Sequence, residues 1–332
     1  MIIALIAAFA MTLAAGTEAF ANEPGESNSW AGETQNRSPI QSRDTMAEAN
    51  GYSGLVQIWR GWDNNIVWLS VNHLRAFSFS NADGSAPLTG VAPRVINSNG
   101  WYYAFYTSTS GRIYWSRAQD NGTAPSTGIA WSNWQVLAGQ TTHQSVSLAS
   151  VPYVGMMMVY RGASDQRMWS SWLPINSVNW NNARQLEAQE DYDGLSYQSI
   201  WAPTVTYNEV NNYLYVAYAE PNGEVQLLRQ PIGHSDWFYA DSLDGDADAS
   251  PVVAATSTGN MLVAARAADN SIWMNRLERN GIAFHSTGWQ QESQHWHSLV
   301  APFLSVAGAV AIMLLTGEND GAVWWKQAYN GS

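Results

Sequence analysis

Three observations predict an all-β fold, a six-bladed β-propeller of four-stranded blades. First, a unit of strand, polar turn and aromatic-rich strand recurs six times: VQIWRGWDNNIVWLS (56–70), YAFYTSTSGRIYWSR (103–117), MVYRGASDQRMWSSW (158–172), YVAYAEPNGEVQLLR (215–229), LVAARAADNSIWMNR (262–276) and IMLLTGENDGAVWWKQ (312–327). Second, the apolar residues just after the turns, Ile66, Ile113, Met168, Val225, Ile272 and Val323, are 47, 55, 57, 47 and 51 residues apart. A four-stranded blade takes roughly 40–50 residues. Third, the chain ends complement one another. The last copy stops at Asn330-Gly331-Ser332, and Asn28-Ser29-Trp30-Ala31-Gly32-Glu33 resembles the strand it lacks. One misread copy would make the ring five- or seven-bladed.

Each element has a local cause. The turns carry Asp-Asn, Ser-Gly, Asp-Gln, Asn-Gly, Asp-Asn and Asp-Gly, residues that tolerate positive φ in tight hairpins. Ahead of each hairpin a short strand opens with a small residue and proline: Ser38-Pro39, Ala92-Pro93, Ala202-Pro203, Ser250-Pro251 and Ala301-Pro302, with Gln144-Ser145-Val146 in the third copy. Proline at a strand's start forfeits no ladder hydrogen bond. After the hairpin comes a strand carrying Trp131 and Trp134, Trp180, Trp237 or Trp289, with Phe77 and Phe79 in the first copy. An N-terminal strand that completes the last blade closes the ring and removes an exposed edge.

Composition narrows the function. The 332 residues include no cysteine, a single lysine (Lys326) among 15 basic residues, and a formal charge of −12. Acidity without a basic run argues against nucleic acid or anionic membrane as partners. Lack of cysteine excludes a disulfide scaffold, thiol catalysis and thiolate metal sites. Ile2 to Ala15 is an apolar run, and Ala19-Phe20-Ala21 follows as a small-x-small cleavage pattern. Residues 1–21 therefore read as a signal peptide, with an uncleaved anchor as the alternative. Residues 22–332 are then one propeller domain, secreted to the extracellular or periplasmic space. Val300 to Leu315 is apolar but interrupted by Pro302 and Gly308, and reads as two buried strands.

Two sets of arginines stand out. Arg60, Arg161 and Arg266 end the second strand of the first, third and fifth copies, where the others have Thr107, Ala219 and Thr316. Arg117, Arg229 and Arg276 hold the fourth place after the turn anchor in the second, fourth and fifth. A guanidinium fork beside an aromatic suits a hydroxyl-rich or carboxylate-bearing sugar; bonding to neighbouring loops is the structural alternative. Of the 18 tryptophans, most suit blade packing. Trp68, Trp115 and Trp325 lie two residues after their anchors and Trp169, Trp273 and Trp324 one after, which puts the two sets on opposite blade faces. Trp62 and Trp172, near turns, are expected to be exposed and to offer flat rings for stacking on sugars. The expected carbohydrate-binding set is thus Arg60, Trp62, Arg117, Arg161, Trp172, Arg229, Arg266 and Arg276.

No catalytic residue is assigned. Asp63, Asp165, Asp269 and Asp320 lie in the repeated turns, where local backbone hydrogen bonding accounts for them. Glu187 to Asp193 and Asp244-Gly245-Asp246-Ala247-Asp248 stand apart. The second alternates oxygen ligands as a Ca2+ loop does. It lacks the sixth-position glycine and the distal glutamate, so Asp244, Asp246 and Asp248 are a minor metal candidate and no cofactor is expected. His295-Trp296-His297 brings two imidazoles to one strand face without a third ligand. There is no Gly-x-Ser-x-Gly, phosphate loop or dinucleotide fingerprint.

The string VYRGASDQRMWSS resembles the tandem repeats of many secreted microbial propeller proteins. The six-bladed layout closed by an N-terminal strand resembles the fungal-type fucose-binding lectins, across essentially all of residues 22–332. That resemblance implies sugar sites between adjacent blades, each built from an arginine, a glutamate and aromatics. Two places after each anchor, where the glutamate is implied, the chain has Trp68, Trp115, Ser170, Leu227, Met274 and Trp325. Sialidases are the six-bladed enzymes of similar layout; their Ser-x-Asp-x-Gly-x-x-Trp turn is not matched around Ser164 to Trp169. The expected function is a secreted carbohydrate-binding, lectin-like protein with repeated shallow sites at blade seams and glycans or glycoproteins as partners. A secreted glycoside hydrolase with one axial site and a non-catalytic protein-interaction propeller are the alternatives.

Overall fold

The computed structural model describes residues 30–35, 46–61, 65–71, 77–78, 85–122, 130–187, 197–292, 297–298, 300–307, 310–316 and 323–329. These residues are all-β and form six four-stranded antiparallel sheets. The first holds β2 (Ala47–Gly51), β3 (Gly54–Arg60), β4 (Val67–Val71) and β5 (Phe77–Ser78). The second holds β6 (Arg94–Ser98), β7 (Trp101–Thr107), β8 (Arg112–Gln119) and β9 (Gln135–Thr141). The third holds β10 (Ser147–Val151), β11 (Gly155–Arg161), β12 (Met168–Pro174) and β13 (Arg184–Gln185). The fourth holds β14 (Thr204–Asn208), β15 (Tyr213–Ala219), β16 (Glu224–Pro231) and β17 (Phe238–Asp246). The fifth holds β18 (Val252–Ala255), β19 (Met261–Arg266), β20 (Ile272–Asn280) and β21 (Ala283–Gln291). The sixth holds β22 (Phe303–Ala307), β23 (Val310–Thr316), β24 (Val323–Tyr329) and, as its outer strand, β1 (Trp30–Gln35). The N-terminal strand therefore does complete the last sheet, from Trp30 opposite Ala328 to Gln35 opposite Trp324.

The turn chemistry works as read. Between the second and third strands, Asn65, Gly111, Gln166, Gly223 and Asn270 all take positive φ, from 55° to 93°. Pro93, Pro203, Pro251 and Pro302 each sit one residue ahead of the first strand. One register differs from the sequence reading. Arg60 pairs with Val67, as Arg161 pairs with Met168 and Arg266 with Ile272. The anchor of the first sheet is thus Val67 rather than Ile66. A one-residue slip moves every side chain to the other face. Trp68 therefore belongs with Trp169 and Trp273, one place after the anchor, and not with Trp115.

Side-chain alternation supplies the core. In β15, Leu214, Val216 and Tyr218 join a cluster with the third sheet, whereas Tyr215, Ala217 and Ala219 join one with the fifth. The same division gives apolar clusters between the first and second, second and third, and fifth and sixth sheets. The second to fifth sheets bury both faces in these clusters, so their strands read as nearly continuous apolar runs. The tryptophans expected on the outer strands mostly lie just ahead of them. Trp134 meets Tyr106 edge-on at 4.8 Å, and Trp180 meets Phe105 at 5.7 Å and Trp115 at 6.3 Å. Trp237 is 2% exposed in the cluster between the third and fourth sheets. These rings, with Trp289 inside β21, seal the seam with the preceding sheet. Phe79 lies outside the described residues.

Neighbouring sheets are also stitched by polar groups. The free edge of one first strand is satisfied by hydroxyls of the strand before it: Val205 N–H donates to Ser147 Oγ at 2.9 Å and Ala255 N–H to Thr206 Oγ1 at 3.2 Å. Asp120, at the end of β8, is 8% exposed. It accepts from the amides of Tyr52 (2.8 Å) and Ser53 (2.6 Å) in the first sheet and from Asn97 Nδ2 (2.8 Å). Gly51 permits this approach, since a Cβ there would lie 2.3 Å from Asp120 Oδ2, Asn97 Nδ2 and the Tyr102 hydroxyl. Burial alone would raise the Asp120 pKa, but these donors outweigh it and hold the carboxyl below its ordinary 3.8. A carboxylate whose folded pKa is depressed stabilises the protein fully above its unfolded pKa and loses that contribution as pH falls through the folded value. Stability is therefore expected to drop as pH falls below about 3.8. Asp120→Asn should cost about 1–3 kcal/mol at neutral pH and flatten that drop, as measured by denaturant unfolding across pH 2.5–7 (roughly the range in which carboxylates titrate).

Candidate functional site

The residues singled out in the sequence separate into two ends of the sheets. Arg60, Arg161 and Arg266 close the second strand, next to the positive-φ turns. Arg117, Arg229 and Arg276 pair opposite Tyr103, Tyr215 and Leu262, four residues further along the strand, or about 13 Å at ~3.3 Å per residue. They do not converge on one site. Arg117 sits over the Trp101 ring at 4.3 Å. Arg229 Nη1 donates to the Ile282 carbonyl at 3.1 Å, and Arg276 Nε lies 3.8 Å from Glu278 Oε1.

At the turn end, the arginine side chains share a face with the apolar residues that fill the following seam. Arg60 Nη1 donates to the carbonyl of Gly90, and Arg161 Nε to that of Ser199 at 2.6 Å. Both carbonyls lie on the loop leading into the next sheet. That loop is itself clipped down by a buried hydroxyl. Thr89 Oγ1 lies 2.8 Å from both the Thr107 and Val91 carbonyls and shares its one hydrogen between them. Ser199 Oγ does the same between the carbonyls of Ala219 at 3.1 Å and Trp201 at 2.7 Å. The seam mouths between the first and second sheets and between the third and fourth thus share one construction. Arg266 differs. It turns to the loop leading into its own sheet, bonding the Asp248 carbonyl at 2.7 Å, the Asp248 carboxylate at 2.9 Å and Asn270 Oδ1.

The arginine does not share its mouth with the tryptophan of its own hairpin. Trp169 and Trp273 face the preceding seam, and their indole N–H groups address the turn acids. Trp169 Nε1 donates to Asp165 at 3.1 Å, and Trp273 Nε1 reaches Asp269 through Ser271. The aromatics in the seams of Arg60 and Arg161 include tyrosines of the next sheet. Tyr106 and Tyr114 stack at 4.9 Å near Arg60's seam, and Tyr197 and Tyr218 meet edge-on at 5.9 Å in Arg161's. Burial lowers the pKa of Arg161, against the opposing charge of Asp165. Burial, reinforced by Glu220, raises that of Tyr218, whose hydroxyl bonds Glu220. Desolvation, with Glu224 nearby, raises Glu220. Ser199 links the two sides of this mouth: it accepts from Arg161 through its carbonyl and donates to Ala219, the residue between Tyr218 and Glu220.

Sequence reading missed these tyrosines, Glu220 and the Thr89 and Ser199 clips. The available signal was the matched position of Tyr106 and Tyr218, each seven residues before its anchor. Trp172 is half-buried against the cluster between the third and fourth sheets, not exposed. Trp62, Asp63, His295 and Trp296, and residues 188–196, lie outside the described residues.

The Asp244–Asp248 loop has a packing role. Asp248 pairs with Arg266. β17 bulges here, its register against β16 shifting between Glu224 and Gln226, and Gly245 lies on the Trp289 ring, where a Cβ would come within 2.4 Å. The indole N–H of Trp289 donates to the Leu243 carbonyl. Among the described residues no group of three or more His, Asp or Glu side chains is placed to hold a metal ion. Gly245→Ala should cost about 1–3 kcal/mol through overpacking, measurable as a lower denaturation midpoint.

No protein-family profile and no curated protein matches the chain. Solved structures share its fold. The SapL1 lectin in complex with α-methyl fucoside is 11% identical with a TM-score of 0.56, over 83% of this chain and 89% of that one. The Aleuria aurantia lectin, described as a six-bladed β-propeller with a novel mode of fucose recognition, is 9% identical with a TM-score of 0.56, over 86% and 95%. A Trypanosoma rangeli sialidase in complex with sialic acid is 12% identical with a TM-score of 0.52; the match takes in 88% of this chain but only 54% of the sialidase. In fold, the chain is similar to the six-bladed propeller lectins that bind fucose.

Proposed function

We propose that the protein is a secreted, non-catalytic carbohydrate-binding protein whose six sheets form a closed six-bladed propeller with shallow sugar sites at its seam mouths. The observation that carries this reading is the repeated mouth, in which Arg60 or Arg161 of one sheet is anchored beside tyrosines of the next. Guanidinium groups donate to sugar hydroxyls, Glu220 and Glu224 accept from them, and the half-buried rings of Tyr114 and Tyr197 pack on sugar C–H groups, over Tyr106 and Tyr218 that are buried beneath. The lectin-like fold supports the reading. Ring closure is supported by the β1–β24 pairing and by a cavity lined by the first strands of all six sheets. Export is supported by the apolar run from Ile2 to Ala15 and the Ala19-Phe20-Ala21 pattern, with residues 22–332 as the mature domain. Each site is weak, and several on one ring bind by avidity.

A glycan array tests this directly. Binding to at least one glycan class is expected; silence across the array at high protein density would sink the proposal. Calorimetry with the recognised sugar should give more than one site per chain. Arg161→Ala should weaken binding several-fold while the sheets stay folded. Turnover of aryl glycosides, abolished by a single carboxylate substitution, would instead make the protein a hydrolase.

A further inference from the structure

The repeat is broken once at the second position of the first strand. In the second to sixth sheets this position is Val95, Leu148, Val205, Val253 or Leu304, and its partner on the second strand is Ala104, Met158, Val216, Val263 or Met313. In the first sheet it is Glu48, opposite Gln57. Packing asks for an aliphatic pair here, and enclosing a carboxyl and a carboxamide instead carries a desolvation cost. Gln57 is 1% exposed. Its Nε2 donates to Glu48 Oε2 at 3.2 Å, while its Oε1 is buried without a partner. Burial raises the Glu48 pKa, with the Gln57 bond opposing. A place where a fold departs from its own repeat at a cost in stability is where function is to be sought.

Glu48 lines a cavity of about 460 Å3 bounded by the first strands of all six sheets, within the roughly 300–1,000 Å3 of small-molecule sites. Its lining is divided. Among the described residues, Glu48 and Asn50 come from the first sheet and Arg94 and Asn97 from the second, while the fifth and sixth contribute apolar residues such as Val252, Ala254 and Phe303. Among the described lining residues, one carboxyl and one guanidinium leave no surplus charge for an ion. Gln57 uses one acceptor position of Glu48, and a purely apolar guest would make no use of the carboxyl's others. A ring with hydroxyls on its rim and C–H groups on its face matches both walls.

We propose that this cavity is a single binding site for one neutral cyclic polyol of monosaccharide size, with Glu48 hydrogen-bonding its hydroxyls and the wall of the fifth and sixth sheets packing on its ring face. The site does not depend on the seam mouths, since it is formed by the first strands and occurs once per chain.

The test titrates the mature protein calorimetrically with D-glucose, D-galactose, D-mannose, L-fucose and myo-inositol. One of these is expected to bind at one site per chain, with affinity unchanged in Arg161→Ala and at least tenfold weaker in Glu48→Leu. Leucine is what two other sheets carry at this position, so Glu48→Leu should melt at or above the wild-type temperature. No single-site binding to any of the five, or a single site indifferent to Glu48→Leu, overturns the proposal. A Glu48→Leu variant that melts lower or fails to fold also counts against it, because Glu48 would then serve packing. Glu48→Gln, which keeps the shape, should still fold and bind at least several-fold more weakly; unchanged binding overturns the proposal. Loss of the seam sites alone shows as a change in stoichiometry with Arg161→Ala and leaves this site intact.

Discussion

The constraint on which the described structure depends is that a sheet buries both of its faces, as the second to fifth do. A four-stranded sheet of this size has no core of its own. Leu214, Val216 and Tyr218 pack backward while Tyr215, Ala217 and Ala219 pack forward, so one strand serves two seams. Polar groups are then excluded from strand interiors unless paired, and they collect where strands end. This is why Arg60, Arg161 and Arg266, the turn acids and the seam-crossing hydroxyls occupy strand ends and first-strand edges. Glu48 opposite Gln57 is an exception within the strands, and it is informative for that reason.

The same constraint explains how nearly identical repeats come to differ in use. A side chain at the end of the second strand necessarily faces the following seam, and the residue one place after the anchor faces the preceding one. Arginine at the first position and tryptophan at the second, in the first, third and fifth sheets, therefore produce two kinds of seam from one kind of hairpin. In the first and third sheets the guanidinium shares its seam with tyrosines from a different repeat. A charge-assisted bond from Arg161 to a main-chain carbonyl holds the fork at the mouth and fixes the incoming loop. The two roles that sequence reading set against each other, loop anchoring and donation to a ligand, coexist on one side chain with several N–H groups.

The acidic stretch from Asp244 to Asp248 shows the limit of pattern alone. Alternating aspartates look like a cation loop when only the chain is considered. In three dimensions the bulge at Gly245 is shaped by an indole arriving from the next sheet, 44 residues on in the sequence, and Asp248 turns away to Arg266. An indole from the next repeat shapes the bulge, and Arg266 of the sheet that this segment enters pairs with Asp248.

The sequence by itself determined the architecture: turns whose residues tolerate positive φ, prolines ahead of first strands, and ends that complete one sheet. These are local, because φ preference and strand alternation act within a few residues. It misplaced one register, reading Ile66 for Val67, because two adjacent apolar residues satisfy the same pattern and only the ladder opposite Arg60 distinguishes them. What only the tertiary structure decided was company. Tyr106 beside Arg60's seam, Ser199 beneath Arg161, Asp120 clamping the turn at Tyr52, and the polar and apolar walls around Glu48 all join residues from different repeats. Their proximity follows from sheets packing face to face, which no spacing along the chain records.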